Sequence, residues 1–165
     1  MIPKKLLTFL EKHHIQYQPL VHKTVFTAFD VAATLKIKLQ DVAKVVMVKV
    51  EPKLIEEEHA KIQDYALVVL PSHLRVDLQK LKALLKRKKV ALVDEKVLYK
   101  ALKVKMGAIA PFATLHRIPV YMDKGLKKAK HVVVSAGSYT DSLQLASQEL
   151  VKAGAKFLGS IGKKK

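Results

Sequence analysis

Residues 41–50 read Asp41-Val42-Ala43-Lys44-Val45-Val46-Met47-Val48-Lys49-Val50. Valine recurs through this run, and β-branched side chains favour the pleated strand over the helix. The stretch is mostly apolar, so Val42 to Val50 is predicted to be a buried strand with Lys44 and Lys49 embedded in it. Tyr65 to Leu70 repeats the pattern and is closed by Pro71. The acidic, polar stretch between them, Glu51 to Asp64, is predicted to be a loop or a long hairpin tip.

Outward from this pair, the signals alternate between helix and strand. A first helix is predicted from about Pro3 to His13, with Pro3 in the first turn, where its missing N–H costs little. Tyr17 to His22 reads as a strand. Phe26 to Lys36 reads as a helix capped by Thr27, with Asp30 in its first turn and Val31, Ala32 and Leu35 facing inward. Downstream, Asp77 caps a helix to Leu85, and Asp94 caps another over Glu95 to Ala101. Strands are predicted over Lys89–Val93, Ile118–Met122, His131–Ser135 and Ser142–Leu145, and a last helix over Ser147–Ala153. The segment Lys156 to Ile161 follows, and the tail Gly162-Lys163-Lys164-Lys165 reads as a solvated end. The alternation lacks the regular rhythm of a doubly wound sheet, no repeat or low-complexity linker divides the chain, and residues 1–165 are expected to form one α/β domain with a mixed sheet.

Composition sets bounds on function. Among 165 residues, 31 Lys and Arg stand against 14 Asp and Glu, a formal net charge of +17. Such a balance attracts polyanions: nucleic acid, an anionic membrane surface or an acidic protein. Half the residues are hydrophobic, enough for a sizeable core. There is no cysteine, which excludes disulfides, a thiol nucleophile and a Cys-based zinc site. The first residues lack a long apolar run, and no stretch reaches the length of a membrane span, so a cytoplasmic location is expected.

The common catalytic motifs are absent: no phosphate-binding loop of the GxxxxGK type, no dinucleotide fingerprint, no G-x-S-x-G elbow, and no H-E-x-x-H among the seven histidines. Three features stand out. Lys44 sits in an apolar strand, where an ammonium either snorkels from a sheet edge or lines a pocket that holds a phosphate or a hydroxyl-rich ligand. Gly107-Ala108-Ile109-Ala110-Pro111 is a small-residue loop whose N–H groups can approach a ligand closely, or a plain turn. Val134-Ser135-Ala136-Gly137-Ser138 ends a strand in hydroxyl and small residues, as site-facing turns do.

Taken in order, these segments resemble the YbaK family and the related editing domain inserted in bacterial prolyl-tRNA synthetases. The similarity begins at His22 with Val25-Phe26-Thr27-Ala28. It continues through Asp41-Val42-Ala43-Lys44, Leu74-Arg75-Val76-Asp77-Leu78 and the G-x-x-x-P loop Gly107–Pro111, and ends in Val134–Ser138. It spans about Tyr17 to Ile161. The resemblance implies a mainly antiparallel sheet curved toward a barrel and flanked by helices. It also implies hydrolysis of the ester between an amino acid and the 3′-terminal adenosine of tRNA, with tRNA-Pro-type editing as the specific expectation. On that model Lys44 anchors the terminal nucleotide, while the N–H groups at Gly107 and Ala108 polarise the ester carbonyl. His22, Phe26, Thr27, Pro111, Ser135, Gly137 and Ser138 shape the pocket, a water attacks, and no metal or organic cofactor is expected. Ala108 stands where many members carry a second glycine, Ala113 follows Phe112 in place of glycine, and Val45 replaces a polar residue.

The basic balance and the resemblance point to one partner, aminoacyl-tRNA, with a synthetase as a second, and to a monomer or homodimer. Lys86, Arg87, Lys88 and Lys128 are the expected contacts to the tRNA backbone. The alternatives are an inactive tRNA-binding module of the same fold and a basic adaptor for a synthetase.

Overall fold

The computed structural model describes residues 1–51 and 65–165. The expected loop over Glu51–Asp64 therefore falls, beyond Glu51, outside the described residues. The element order is α1 (Lys4–Lys12), β1 (Gln18–Val21), α2 (Ala28–Leu35), β2 (Ala43–Val50), β3 (Tyr65–Pro71), β4 (Leu74–Val76), α3 (Leu78–Leu85), β5 (Val90–Leu92), α4 (Glu95–Leu102), α5 (Ala113–His116), β6 (Val120–Asp123), β7 (Val132–Ser135), β8 (Asp141–Leu145), α6 (Ser147–Lys152), β9 (Lys156–Gly159) and β10 (Gly162–Lys164).

β2 and β3 pair antiparallel in unbroken register from Ala43↔Pro71 to Lys49↔Tyr65. They form the centre of a sheet ordered β5-β2-β3-β6-β9, antiparallel on the β5 side and parallel from β3 through β9. A second sheet, β1-β8-β7, is antiparallel. Val42 bridges Val133, which joins the two sheets beside the start of β2. The result is the mixed, mainly antiparallel α/β architecture expected.

The apolar runs of β2 and β3 are explained by burial on both faces. Ala43, Met47, Leu67 and Val69 pack into one core with Leu6, Leu10, Phe112, Met122 and Leu143. Val48, Val50, Ala66, Val68 and Leu70 pack into another with Leu81 and Ile161. Each fully buried Leu or Phe here contributes about 1.5–3 kcal/mol relative to exposure. The caps are those the sequence predicts: Thr27 Oγ1 accepts from Asp30 N, Asp77 Oδ1 from Gln79 N and Lys80 N, and Asp94 Oδ1 from Val97 N.

Two expectations are corrected. The lysine tail is not a loose end: β10 pairs antiparallel with β4, Gly162↔Val76, Lys163↔Arg75 and Lys164↔Leu74. Buried Asp123 fixes it, accepting from Ile161 N at 2.8 Å and Gly162 N at 3.0 Å through Oδ2, while Oδ1 accepts from Gly125 N at 2.7 Å. The single turn α5 also forms where none was expected, directly after the Gly107–Pro111 loop.

Candidate functional site

Where α2, the first residues of β2, the 107–111 loop and the end of β7 converge, a small open hollow forms. Lys44, Gly107, Ile109, His22, Phe26, Thr27, Ser135, Ser138 and Ser142 line it, over a floor of Val25, Val31, Val42 and Val133. Lys44 and the glycine loop, 63 positions apart in sequence by their numbers 44 and 107, thus border one cleft. Among the described residues no carboxylate lines it. Burial, and secondarily the positive charge of Lys165, lower the Lys44 amine to a pKa of about 8.

The loop owes its shape to Gly107. Ala108 N donates to Lys105 O at 3.0 Å, closing a four-residue turn with Gly107 at its third position and φ of +84°. That is the type II arrangement, which requires positive φ there. A Cβ at 107 would also collide with the Phe26 carbonyl oxygen, so glycine lets the loop press against the segment leading into α2. The turn settles the phase of the loop. Gly107 and Ile109 face the cleft, whereas Ala108 and Ala110 face a separate cavity behind it, lined also by Tyr99, His116 and Tyr139.

This phase corrects the expected role of Ala108. Its N–H is spent on Lys105 and its side chain lies behind the loop. Among the described residues, the N–H groups of Gly107 and Ile109 have no hydrogen-bond acceptor. His116 anchors the back of the loop through Nε2, 2.6 Å from Ala110 O, which makes Nε2 the protonated nitrogen in the neutral ring. Burial, helped by Lys5 and opposed by the bond to Ala110, lowers the His116 pKa. Pro111 is buried and does not border the cleft.

On the opposite wall, His22 Nδ1 lies 2.8 Å from Lys23 O and Nε2 lies 2.9 Å from Ser142 Oγ. A carbonyl only accepts, so Nδ1 carries the proton and, in the neutral ring, Nε2 accepts from the Ser142 hydroxyl. Ser135 Oγ accepts from Gly137 N at 3.2 Å. Gly137, at φ +84°, faces the rear cavity and not the cleft. Ser138 Oγ donates to Asp141 Oδ2 at 2.8 Å, and Thr140 Oγ1 donates to the same oxygen. Burial pushes the Asp141 carboxyl up, but the Met1 ammonium, Thr140 and Ser138 outweigh it and hold its pKa below the usual value. Phe26 is exposed at the cleft mouth, edge-on to Tyr139 with ring centroids 4.7 Å apart.

With this geometry, the sequence over residues 22–153 matches the family model of the aminoacyl-tRNA editing domain. The chain belongs to that family.

Solved structures share the fold of this editing domain. It is similar to the hypothetical protein APE2540, at 18% identity and a TM-score of 0.81, covering 97% of this chain and all of that one. It is also similar to a provisionally assigned trans-editing enzyme for prolyl tRNA synthetase, at 15% identity and a TM-score of 0.79, covering 99% of each chain. A designed epitope scaffold aligns at 16% identity and a TM-score of 0.79 over 98% of this chain and 97% of its own. No curated protein sequence matches significantly.

The remaining expected contacts of the editing domain are scattered. Lys86 and Lys88 are exposed and Arg87 is partly buried, between α3 and β5. β5 pairs with Val48–Val50, the end of β2 remote from Lys44, about 20 Å away at the usual strand rise. These three residues do not border the cleft. Lys128 lies at the other end of the sheet, in a groove with Pro71, His73, Leu74 and Asp41. Sequence reasoning missed Ser142 and Ile109. Ser142 looked like strand interior, and its partner His22 lies 120 positions away. No group of side chains able to hold a metal occurs among the described residues, and no helix there is long and apolar enough to cross a membrane.

Proposed function

We propose that this editing domain is a trans-acting deacylase that hydrolyses the ester of mischarged aminoacyl-tRNA. The observation that carries the reading is the meeting of Lys44 and the Gly107 loop on one cleft, which no carboxylate lines among the described residues. A half-buried ammonium suits a phosphate or ribose hydroxyl of the 3′-terminal nucleotide. The open N–H groups at Gly107 and Ile109 suit the ester carbonyl, where negative charge develops as water adds. Water oxygen bonds to the carbonyl carbon, the bond to the ribose oxygen breaks, and the water's proton ends on that ribose oxygen. The ester is already labile, so positioning and electrostatics are sufficient assistance.

The apolar valine floor suits a small uncharged amino-acid side chain. The tRNA-Pro type is the specificity we infer, with a synthetase as source of the substrate. The whole of 1–165 acts as one such unit, and the cytoplasm is its place. The test is a panel of mischarged tRNAs with wild-type protein and Lys44→Met. At least one substrate should be stripped by the wild type and spared by the variant. Full activity in Lys44→Met rejects the role of the amine. Absence of activity on every substrate leaves an inactive binding module.

One contact favours a second reading. Ser142 Oγ and His22 Nε2 are paired as nucleophile and base, with Nδ1–H held by a carbonyl. In that mechanism Ser142 takes the acyl group, His22 passes the serine proton to the departing ribose oxygen, and water then frees the acid. Ser142 is only 2% exposed, which favours the direct attack of water. Ser142→Ala in the same panel separates the two: abolished turnover supports the serine, retained turnover the water.

A further inference from the structure

The β4–β10 ribbon has an unusual charge pattern. Arg75 and Lys163 are directly opposite in its antiparallel register, so their side chains share one face. Like charges so placed repel and destabilise the pairing. Among the described residues neither has an ion-pair partner. The nearby carboxylate is Asp77, which feels the charge of Lys163 and Lys80 but whose Oδ1 already serves the first turn of α3. An isolated three-residue ribbon would not hold such a pair together unaided.

The ribbon is instead fixed from outside itself. Asp123 binds Ile161 N and Gly162 N, Asp77 N donates to Ile161 O, Lys80 Nζ reaches Gly162 O, and the Ile161 side chain is fully buried. Gly162 lies so close to Leu74 that an added Cβ would come within 2.8 Å of it, and within 3.4 Å of Leu70. Leu70 is the register partner of Lys44. Strand alternation places Lys44 on the β2 face that carries Val46 and Val48, the face packed against Ile161. The ribbon therefore runs past the Lys44 end of the central sheet. The influence of Lys165 on the Lys44 amine is consistent with this path.

We propose that the Arg75–Lys163 face of the β4–β10 ribbon is a docking surface for the phosphodiester backbone of RNA leading to the Lys44 cleft. The proposal rests on the reading of the substrate as aminoacyl-tRNA. A phosphate between the two cations relieves their repulsion, which neither a neutral ligand nor an ordinary protein surface does. This assigns backbone binding to the ribbon, with Lys165 and the tail beside it, rather than to Lys86–Lys88 at the far end of β2.

The test uses the full chain with Arg75→Gln/Lys163→Gln, and a charge-matched control, Lys12→Gln/Lys100→Gln, on α1 and α4. Two readouts are taken: binding of uncharged tRNA across a salt series, and deacylation of aminoacyl-tRNA beside aminoacyl-adenosine, which lacks the phosphates. The ribbon variant should bind tRNA roughly tenfold or more weakly, with the salt slope reduced by about 1.4 for two lost single-strand contacts. It should hydrolyse aminoacyl-adenosine like the wild type, and its melting temperature should not fall, since a repulsive pair is removed. Lys163→Glu provides a second variant with a larger loss of binding. Unchanged tRNA affinity and salt slope, or an equal loss in the control, overturns the proposal. A wild type that binds tRNA through the ribbon but strips no substrate sustains the surface and rejects the deacylase reading. Binding of acidic protein or anionic vesicles in preference to tRNA rejects the RNA assignment.

Discussion

Raising the pH from 7 to 9 should switch off the Lys44 contribution while leaving the fold in place. The amine titrates at about 8 because burial, and secondarily Lys165, disfavour its charged form. At pH 7 about nine-tenths of the molecules carry the ammonium and at pH 9 about one-tenth, so the rate component that needs the charge falls about ninefold, then about tenfold per further unit. The assay is single-turnover deacylation, with the hydroxide-driven rate in the absence of protein subtracted at each pH. Lys44→Arg supplies the internal standard: a guanidinium stays charged throughout, so whatever activity it retains should show no fall near pH 8. Lys165→Gln removes one lowering influence and should move the wild-type midpoint upward. Unfolding does not mimic this effect. A lysine in the unfolded chain titrates near 10.4, so between about 8 and that value the unfolded state binds more protons, and this group's contribution to stability rises with pH through the window. A melting temperature that holds while activity falls separates the two. A wild-type profile that stays flat from pH 7.5 to 9.5 refutes the assignment of Lys44 as a charged anchor.

Gly107→Ala combines a left-handed backbone, costing about 1–2 kcal/mol for a residue with a Cβ, with a collision against the Phe26 carbonyl. It should leave a folded protein whose loop has moved, with deacylation reduced about 100-fold for a displacement near 1 Å; activity within threefold of wild type would count against the loop as the carbonyl site. Asp123→Ala strips three backbone N–H groups of their acceptor, two of them buried beside β10. A stability loss of about 3 kcal/mol or more is expected in denaturant unfolding, and amide exchange in 161–164 should accelerate selectively; unchanged exchange there would show that the carboxylate does not hold the ribbon.

What could be read from the chain alone has a physical boundary. β2 and β3 are legible because burial on both faces demands an unbroken apolar run, and such runs survive in one dimension. The caps Thr27, Asp77 and Asp94 are legible because a cap acts within three residues. β4, α5 and β10 are not, because their stability is imported. β10 is one glycine and two lysines, held by a carboxylate 38 positions earlier in the chain, through Asp123 and Ile161, and no local pattern carries that.

The same boundary runs through the site. That a glycine loop and a strand lysine matter follows from their residue types. Which amides face the cleft follows instead from the phase of a type II turn, and that phase moves the open donors from Ala108 to Ile109. The serine–histidine contact was hidden because its members are distant and one resembles strand interior. The cations show the difference most clearly. Sequence proximity groups Lys86, Arg87 and Lys88, yet a helix end and a strand edge put them at the end of the sheet remote from Lys44. Strand register groups Arg75 with Lys163, which no window along the chain would join. Repulsion between two fixed cations is a cost that a fold retains only under compensation, and so the unfavourable contact, more than the density of lysines, indicates where a polyanion belongs.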